Sequence, residues 1–600
     1  MTDIDMTLAG IKSAYASGMT PADLMANLRE RAMAYSDHNV FIHLLNAEEL
    51  EPWLQGLGNK DPETSTLWGV PFVLKDNIDL AGIATTAACE AFSYVPRKTA
   101  FIAQQLIDQG ALPLGKANLD QFATGLNGTR SPYGACANSF DKQMVSGGSS
   151  AGSAVAVALG LASFSLGTDT AGSGRVPACF NNLVGVKPTR GLLSASGVVP
   201  ACRSLDCVSI FALHCDDANH VLSVAEGFDK FDGYSRPNQF ENRGQTYVKQ
   251  EGPLTLGVLS QKDLRFFGYS DYETAYGQSI TRIEQNGIRL VEIDYGPFDE
   301  VAKLLYEGPW VAERYLATLP LIKDNPDAIF PAVREIISKG RAPLAIDAFQ
   351  SQYRLHELKQ LCMQQMQPVD ALLTPTAGRL FSINEMLAEP IKRNSELGYY
   401  TNFVNLLDMA AIAVPTAFTD KALPFGVTLC GPAFSDRRLL SIANRIQQLY
   451  PLPMATTRQT VPETGAISSN STDRMELVVC GAHLDGMPLN YQLTDRGAHL
   501  LERTNTTPDY RLYALQDGPI PRPALVQSSQ KGVAIEVEVW SLPAQHLGSF
   551  IADIARPLGL GKVKLADGRE ACGFIAEPCS VDTSIEITHL GGWKNYINQP

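Results

Sequence analysis

The amino-acid sequence predicts an α/β protein of two domains, a large one over residues 1–455 and a small α+β one over residues 475–600. Patterns typical of strands and of helices alternate as far as about Tyr450, which indicates a sheet packed against helices. Residues 456–474 contain few large apolar side chains and many Thr, Ser, Pro and Gly residues, a composition typical of linkers. Short β-type runs dominate the remainder of the chain.

The elements of the large domain follow from apolar periodicity. Residues 1 to about 60 show helical periodicity, with apolar side chains recurring every fourth residue from Leu24. The run LWGVPFVLKDNIDL at residues 67–80 predicts a buried strand that ends in a polar loop. A helix-like segment follows within residues 99–120. Residues 151–162, AGSAVAVALGLA, are apolar on every side, which is typical of a helix inside a large core.

The small domain is predicted from four β-type runs separated by turn residues and from one helix, PAQHLGSFIADI. The four runs are MELVVCGAHL, YRLYAL, GVAIEVEVWSLP and ACGFIAEP.

Composition excludes several classes of function. The net charge is −14, so no basic field is available to bind nucleic acid or an anionic membrane. Neither H-E-x-x-H nor paired Cys and His spacings occur, so we expect no metal and no cofactor. The eleven cysteines form no C-x-x-C pair, and the N-terminus has neither the basic region nor the apolar run of a signal peptide. These features predict free thiols and a cytoplasmic location.

Two loops rich in small residues are the candidates for a catalytic site. They are VSGGSSAGSAVA at residues 145–156 and LGTDTAGSGRVP at residues 166–177. Either loop alone is typical of an ordinary turn, but together they offer serine hydroxyls and close-set backbone amides. None of the nine histidines lies in a recognisable triad context, so the base is expected to be a lysine that burial keeps neutral. Lys75, at the end of the predicted strand, is the candidate.

Residues 69–188, which contain both loops, resemble the amidase signature family of serine hydrolases. The resemblance implies a mixed central sheet covered by helices and a Ser-cisSer-Lys triad. By position, Ser173 is then the nucleophile, Ser149 the serine that follows a cis peptide bond, and Lys75 the base. Asp169 and Arg175 flank Ser173, and we expect them to form a pair that fixes its loop, residues 166–177.

The same resemblance implies an oxyanion hole made by the backbone amides of Thr170, Ala171, Gly172 and Ser173. The family's usual Gly-Gly-Ser is Ala171-Gly172-Ser173 here, and this variant is similar to the allophanate hydrolase branch. That branch also has an additional C-terminal domain of about the size predicted here.

The resemblance implies a substrate with a carboxylate, and residues 304–315, LLYEGPWVAERY, offer side chains that could bind it. Tyr306 and Arg314 lie about two turns apart on a predicted helix and so face one side of it. Arg314 is expected to bind the allophanate carboxylate with a bidentate pair of hydrogen bonds, and Tyr306 is expected to orient the ureido group. The alternative is an Arg314 that lies in solvent and pairs with a neighbouring glutamate. Gly125 is expected to offer a backbone group to the substrate.

The small domain resembles the gamma-glutamyl cyclotransferase-like fold that follows the amidase domain in allophanate hydrolases. Amide cleavage of allophanate leaves N-carboxycarbamate, and this domain is expected to promote its decarboxylation. His483 lies in the first glycine loop and is the candidate proton carrier, with a purely structural loop histidine as the alternative.

The resemblance therefore implies an allophanate hydrolase that releases ammonia and carbon dioxide. It implies a functional link to a separate urea carboxylase, since no biotin-attachment MKM occurs in the sequence. A homodimer is a family-level expectation. Two alternatives remain open, a glutaminase subunit of the amidotransferase type and a broader amidase that acts on small amides.

Overall fold

The computed structural model describes residues 4–239, 242, 246–250, 252–464, 467–468, 474–515, 520–577 and 581–598. The chain divides into two compact units. The first comprises Met1–Asn238 and Tyr247–Ala466, and the second comprises Gln239–Thr246 and Ile467–Pro600. The second unit thus includes a short segment from within the predicted large domain.

The first half of the predicted linker packs on the first unit. Thr456 Oγ1 donates to the carbonyl oxygen of Ala158 at 2.7 Å, and Val461 packs against the main apolar core. Residues 465–466 and 469–473 of that linker lie outside the described residues.

The strands of the first unit, in chain order, are β1 (Phe41–Leu44), β2 (Pro71–Lys75), β3 (Leu112–Ala117), β4 (Phe164–Asp169), β5 (Val184–Lys187), β6 (Cys207–Ala212), β7 (Val248–Lys249), β8 (Thr255–Leu259), β9 (Arg289–Ile293), β10 (Ala371–Pro375), β11 (Ala410–Phe418) and β12 (Pro424–Gly431). All but β7 form one sheet in the order β1-β3-β2-β4-β6-β5-β11-β12-β10-β8-β9. Neighbours are parallel at β3-β2-β4 and at β10-β8-β9, and antiparallel elsewhere. The predicted mixed sheet is confirmed.

The α-helices of this unit are α1 (Leu8–Ala16), α2 (Pro21–Ala34), α3 (Ala47–Leu57), α4 (Phe101–Asp108), α5 (Ala151–Ala158), α6 (Val176–Phe180), α7 (Cys215–Ala225), α8 (Ser270–Gln285), α9 (Gly296–Glu307), α10 (Val311–Ala317), α11 (Leu319–Asp324), α12 (Pro331–Ser338), α13 (Ala345–Met366), α14 (Ile383–Ala388), α15 (Lys392–Leu397), α16 (Phe403–Leu406) and α17 (Asp436–Gln448). Every residue of α5 is buried, as its apolar sequence predicts.

The N-terminal region is only partly helical. Helix α2 begins with a capping box between Thr20 and Asp23 and buries Leu24 and its periodic partners, as predicted. Residues Phe41–Leu44 form strand β1 instead of continuing the helical pattern. The chain leaves the helical conformation at Asn39, which has a left-handed backbone (φ 52°), and the strand then pairs antiparallel with β3.

The sheet brings the two candidate loops to one edge. Strands β2 and β4 are parallel neighbours, so their carboxyl ends lie on the same side of the sheet. Lys75 is the last residue of β2, and Asp169, the last residue of β4, begins the nucleophile loop. Helix α5 starts directly after Ser149 and Ser150 and packs against β4.

The second unit is a small α+β fold, as predicted. Its strands are β13 (Ile467–Ser468), β14 (Arg474–Val479), β15 (His499–Asn505), β16 (Tyr510–Ala514), β17 (Pro523–Gln527), β18 (Glu536–Pro543), β19 (Leu558–Lys564), β20 (Glu570–Ala576) and β21 (Ile585–Glu586). A five-stranded sheet has the order β15-β18-β14-β20-β19, and a three-stranded sheet has the order β17-β16-β21. The four predicted runs correspond to β14, β16, β18 and β20.

The helices of the second unit are short. They are α18 (Tyr491–Thr494), α19 (Leu547–Ala552) and α20 (Trp593–Ile597). The predicted helix corresponds to α19, while the other two were not predicted from the sequence. The unit has its own apolar core, which includes Leu477, Val539, Phe550 and Trp593.

Candidate active site

Lys75 lies fully buried at the end of β2 and contacts two hydroxyl groups. Its Nζ donates to Ser149 Oγ at 2.8 Å and to Thr168 Oγ1 at 2.7 Å. Burial disfavours the ammonium form and lowers the pKa of Lys75 to about 7, although the nearby carboxylates favour that form. A substantial fraction of Lys75 is therefore neutral near pH 7 and able to accept a proton.

Ser149 follows a cis peptide bond, Gly148-Ser149, as the resemblance implies. Its side chain is fully buried beside Lys75. The neighbouring Ser150 has a different function, because its hydroxyl donates to the carbonyl oxygen of Thr168 at 3.0 Å and accepts from the Thr168 amide at 3.1 Å. Ser150 thus ties the start of α5 to β4, and Ser149 is the serine in contact with the lysine.

The nucleophile loop is built around the carboxylate of Asp169. Arg175 donates to both carboxylate oxygens, from Nε at 2.9 Å and from Nη2 at 3.0 Å, which confirms the predicted pair. The amides of Gly172 and Gly174 also donate to this carboxylate, at 2.8 and 3.1 Å. Although burial opposes ionisation, Arg175, the more distant Lys187 and the Gly172 amide hold the pKa of Asp169 below its ordinary value. The ion pair therefore fixes the turn that carries Ser173.

The contact with Asp169 corrects one expectation about the oxyanion hole. The amide of Gly172 is already committed to Asp169 Oδ1, so it is not an available donor in this conformation. Within the described residues, the amides of Thr170, Ala171 and Ser173 donate to no protein group. These three amides lie in a buried turn, where a free N–H group favours an anionic oxygen.

Ser173 contacts Gly125, the residue predicted to offer a backbone group to the substrate. Ser173 Oγ donates to the carbonyl oxygen of Gly125 at 3.4 Å, a long hydrogen bond. Among the described residues it forms no hydrogen bond with Ser149. Catalytic hydrogen bonds are often long or unformed before substrate binds, so this geometry is compatible with a later Ser173–Ser149 contact.

Tyr306 and Arg314 meet, but not on one helix. Tyr306 lies near the end of α9, and Arg314 lies in α10, after a break that contains Gly308 and Pro309. The single predicted helix is therefore wrong, because proline cannot continue the hydrogen-bond ladder of α9. The guanidinium carbon of Arg314 still lies 5.6 Å from the centre of the Tyr306 ring, a cation–π contact.

Arg314 is a buried cation that forms no ion pair with a carboxylate among the described residues, although the carboxylates of Asp206 and Glu313 act on it electrostatically. Its side chain is only 2% exposed, and Nη1 donates to Thr124 Oγ1 at 3.0 Å and to the carbonyl oxygen of Ala123 at 3.3 Å. The adjacent Glu313 instead accepts from the amide of Ser204 at 2.8 Å. The predicted alternative, a solvent-exposed arginine paired with a glutamate, is wrong. A buried guanidinium with unused donors favours an anionic ligand.

His483 lies in the second unit, after β14, and lines a small pocket there with Cys480, Arg522 and Phe574. Its ring stacks on Phe574 at 4.9 Å, and Nε2 lies 2.8 Å from Gln492 Oε1. Burial lowers the pKa of His483 below its ordinary value. The pocket volume of about 20 Å³ is enough for little more than one water molecule.

Several residues that shape the site were not predicted from the sequence. Thr168 accepts the second hydrogen bond of Lys75. Asn405 Nδ2 donates to the carbonyl oxygen of Asp169 at 2.8 Å, and Thr401 Oγ1 donates to that of Ala171 at 2.7 Å. Asp120 is fully buried and accepts three backbone amides. Thr168 lies within the loop at residues 166–177, but Asn405, Thr401 and Asp120 lie outside both candidate loops, and only the fold brings these three to the site.

No helix in the described residues has the length and apolar character of a membrane span. In the same part of the chain, no cluster of three His, Cys, Asp or Glu side chains could hold a metal ion. The ten cysteines that the structure describes are free thiols, as predicted, and Cys579 lies outside the described residues.

Known family models match both the large N-terminal part and the small C-terminal part of the chain. A family model described as "Amidase" matches residues 24–440, and one described as "Allophanate hydrolase C-terminal domain" matches residues 475–598.

Individual relatives agree with these matches. The crystal structure of Kluyveromyces lactis allophanate hydrolase is 38% identical, with a TM-score of 0.76, and the match covers 98% of each chain. Urea amidolyase of Saccharomyces cerevisiae is 41% identical over 93% of this chain, but this chain spans only 31% of that protein. A glutamyl-tRNA(Gln) amidotransferase sequence from Prochlorococcus marinus is 31% identical, and the match covers 64% of this chain and 84% of that protein. The chain therefore belongs to the amidase family, in the allophanate hydrolase branch that carries the additional C-terminal domain.

Proposed function

We propose that this amidohydrolase cleaves the terminal amide of allophanate, releasing ammonia and N-carboxycarbamate. The observation that carries the proposal is the buried guanidinium of Arg314, which forms no ion pair with a carboxylate among the described residues and donates only to neutral groups. Allophanate is a small amide with one carboxylate, so its charge compensates that of Arg314 and its planar carboxylate suits the guanidinium fork. Tyr306, in contact with Arg314, orients the ureido group.

The proposed chemistry uses the Lys75–Ser149–Ser173 relay. Neutral Lys75 takes a proton from Ser149, which takes one from Ser173 as the Ser173 oxygen attacks the amide carbon. The free amides of Thr170, Ala171 and Ser173 stabilise the oxyanion. The relay then returns a proton to the departing ammonia, and water hydrolyses the acyl-enzyme by the same steps.

The second unit is proposed to act on the product of the first. N-carboxycarbamate still has to lose carbon dioxide before its nitrogen is released as ammonia. His483 lines a pocket with room for about one water molecule, and its pKa is lowered by burial, so its neutral ring can accept a proton at neutral pH. The structural alternative has its own support, since His483 stacks on Phe574 and contacts Gln492.

The proposed substrate requires a partner reaction. Allophanate is urea carboxylated on nitrogen, so a urea carboxylase must supply it, and we propose a functional link to that enzyme. The similarity to urea amidolyase supports this link. A homodimer remains a family-level proposal.

A product balance tests the proposed function. Purified full-length chain is supplied with allophanate, and ammonia and carbon dioxide are counted per molecule consumed. We expect two molecules of each. Ammonia release from glutamine, with allophanate left intact, would contradict the proposal in favour of a glutaminase. Equal kcat/KM for allophanate and for neutral amides of similar size would instead indicate a broader amidase.

A further inference from the structure

We propose that Asp120 is a positioning residue for the amide hydrolysis, because its carboxylate folds residues 124–130 and thereby places the Gly125 carbonyl oxygen against Ser173. The inference rests on the proposed function, in which Ser173 is the nucleophile. Asp120 itself need not touch the substrate.

The carboxylate of Asp120 is the hydrogen-bonding centre of this loop. Oδ2 accepts from the amides of Asn127 and Gly128, both at 3.1 Å, and Oδ1 accepts from the amide of Arg130 at 2.9 Å. The side chain is fully buried, so bulk solvent does not compete for these bonds. Three amides that converge on one carboxylate fix the course of the loop.

Asp120 also lies directly against two glycines of the site: Gly148, which precedes Ser149, and Gly125, whose carbonyl oxygen accepts from Ser173. A Cβ atom on Gly125 would lie 2.4 Å from Asp120 Oδ2, and one on Gly148 would lie 2.2 Å from it. In addition, the Asp120 amide donates to the carbonyl oxygen of Ser149 at 3.1 Å. One residue therefore sets the distance between the Ser149 backbone and the Gly125 carbonyl that receives the Ser173 hydroxyl.

The same loop supports the proposed carboxylate-binding group. Arg314 donates to Thr124 and Ala123, just before Gly125. Arg130, whose amide Asp120 accepts, donates from Nη1 to the carbonyl oxygen of Thr124 at 2.9 Å. Movement of the loop would therefore displace Arg314 together with Gly125.

The negative charge of Asp120 affects the pKa of Lys75, which a side chain that served only for packing would not do. No cationic side chain forms an ion pair with Asp120 in the part of the chain that the structure describes. Besides burial, the charged groups that act on Lys75 are the carboxylates of Asp120, Asp206 and Asp169, which raise its pKa, and Arg314, which lowers it. Removing the charge at Asp120 lowers the pKa of Lys75 further.

The test is Asp120→Asn in the full chain, with kcat/KM for allophanate measured against pH. The amide keeps the size of the side chain, but its NH₂ group cannot accept a hydrogen bond, so at least one of the three loop amides loses its acceptor. We expect kcat to fall by about 10-fold to 100-fold, as for loss of charge-assisted hydrogen bonds. We also expect the acid limb of the profile to move to lower pH, because more acid is then needed before Lys75 protonates.

Two further variants distinguish the role of Asp120 in placing the Gly125 carbonyl from the effect of its negative charge on Lys75. Asp120→Glu keeps the charge but not the geometry, so we expect the acid limb to stay near its wild-type position while kcat still falls. Asp217→Asn is the matched control, since Asp217 is a buried carboxylate on α7 that accepts the Leu8 amide and pairs with His214. We expect this control to leave both the limb and kcat near wild type.

Near-normal kcat in Asp120→Asn would overturn the proposal, and so would a fall in kcat with an unmoved acid limb in a folded protein. If Asp120→Asn does not fold, the pH profile of Asp120→Glu tests the proposal instead. Near-normal kcat in Asp120→Glu would show that Asp120 does not position the Gly125 carbonyl. Failure of the proposed function is separate, because wild type itself would then leave allophanate intact.

Discussion

Lys75 Nζ lies 2.8 Å from Ser149 Oγ, and both side chains are completely buried. The protein thus holds a lysine where burial lowers its pKa to about 7, in contact with the hydroxyl from which it would take a proton. This relationship supports the proposed role of Lys75 as a base that needs no histidine near neutral pH.

The first prediction concerns pH. The relay needs neutral Lys75, so kcat/KM should fall about tenfold per pH unit below pH 7, where Nζ is protonated, and level off above it. A pH profile with allophanate, with circular dichroism at each pH, checks this. An acid limb near the ordinary pKa of lysine, about 10.4, would contradict a lysine base with a lowered pKa.

The second prediction is that Ser149 and Lys75 act as one unit. Ser149→Ala and Lys75→Ala should each reduce kcat by several orders of magnitude, and the double variant should be hardly worse than the slower single one. A double-mutant cycle on kcat measures this. Ser150→Ala is the control, since its hydroxyl binds the Thr168 backbone, and its loss in kcat should be far smaller. Losses that simply add would contradict a shared relay.

The third prediction is that Arg314 sets specificity for a carboxylate. Loss of the proposed charge-assisted, bidentate contact with the substrate in Arg314→Ala should lower kcat/KM for allophanate by about 30-fold to 1000-fold. Arg314→Lys should not restore it, because a point charge cannot reproduce the guanidinium fork. Rates on a neutral amide serve as the reference and should change less. An unchanged kcat/KM for allophanate in Arg314→Ala would refute the assignment.

The fourth prediction concerns the second unit. His483→Ala in the full chain should release the first ammonia at the normal rate, while N-carboxycarbamate accumulates transiently. Time-resolved measurement of ammonia and carbon dioxide would detect the delay. His589→Ala, at an exposed histidine of the same unit, is the control. If carbon dioxide keeps pace with ammonia in a folded His483→Ala, the histidine is structural.

Much of the fold was accessible from local patterns, since buried strands such as β2 and the all-apolar α5 carry strong periodic signals. The positions of Lys75, Ser149 and Ser173 came from motif resemblance. The strand at Phe41–Leu44 was missed because a turn at Asn39 interrupts a continuous apolar pattern.

Parts of the site were inaccessible for physical reasons. Whether the Gly172 amide is free depends on where the Asp169 carboxylate lies, which no spacing reveals. Similarly, nothing in the sequence distinguishes Asp120 from an ordinary polar loop residue, because the three backbone amides that donate to it are brought there only by the fold. Tyr306 and Arg314 were paired correctly, but through a contact between two helices rather than along one.

Ammonia release from allophanate by the Ser173→Ala variant tests the central claim most directly. The substitution removes the attacking oxygen and leaves the Asp169–Arg175 pair that fixes the loop. We therefore predict a folded protein with an unchanged thermal transition that releases no ammonia above the uncatalysed rate, beside a wild type that consumes allophanate completely. Near-normal ammonia release by folded Ser173→Ala would contradict the account, because the nucleophile would then lie elsewhere.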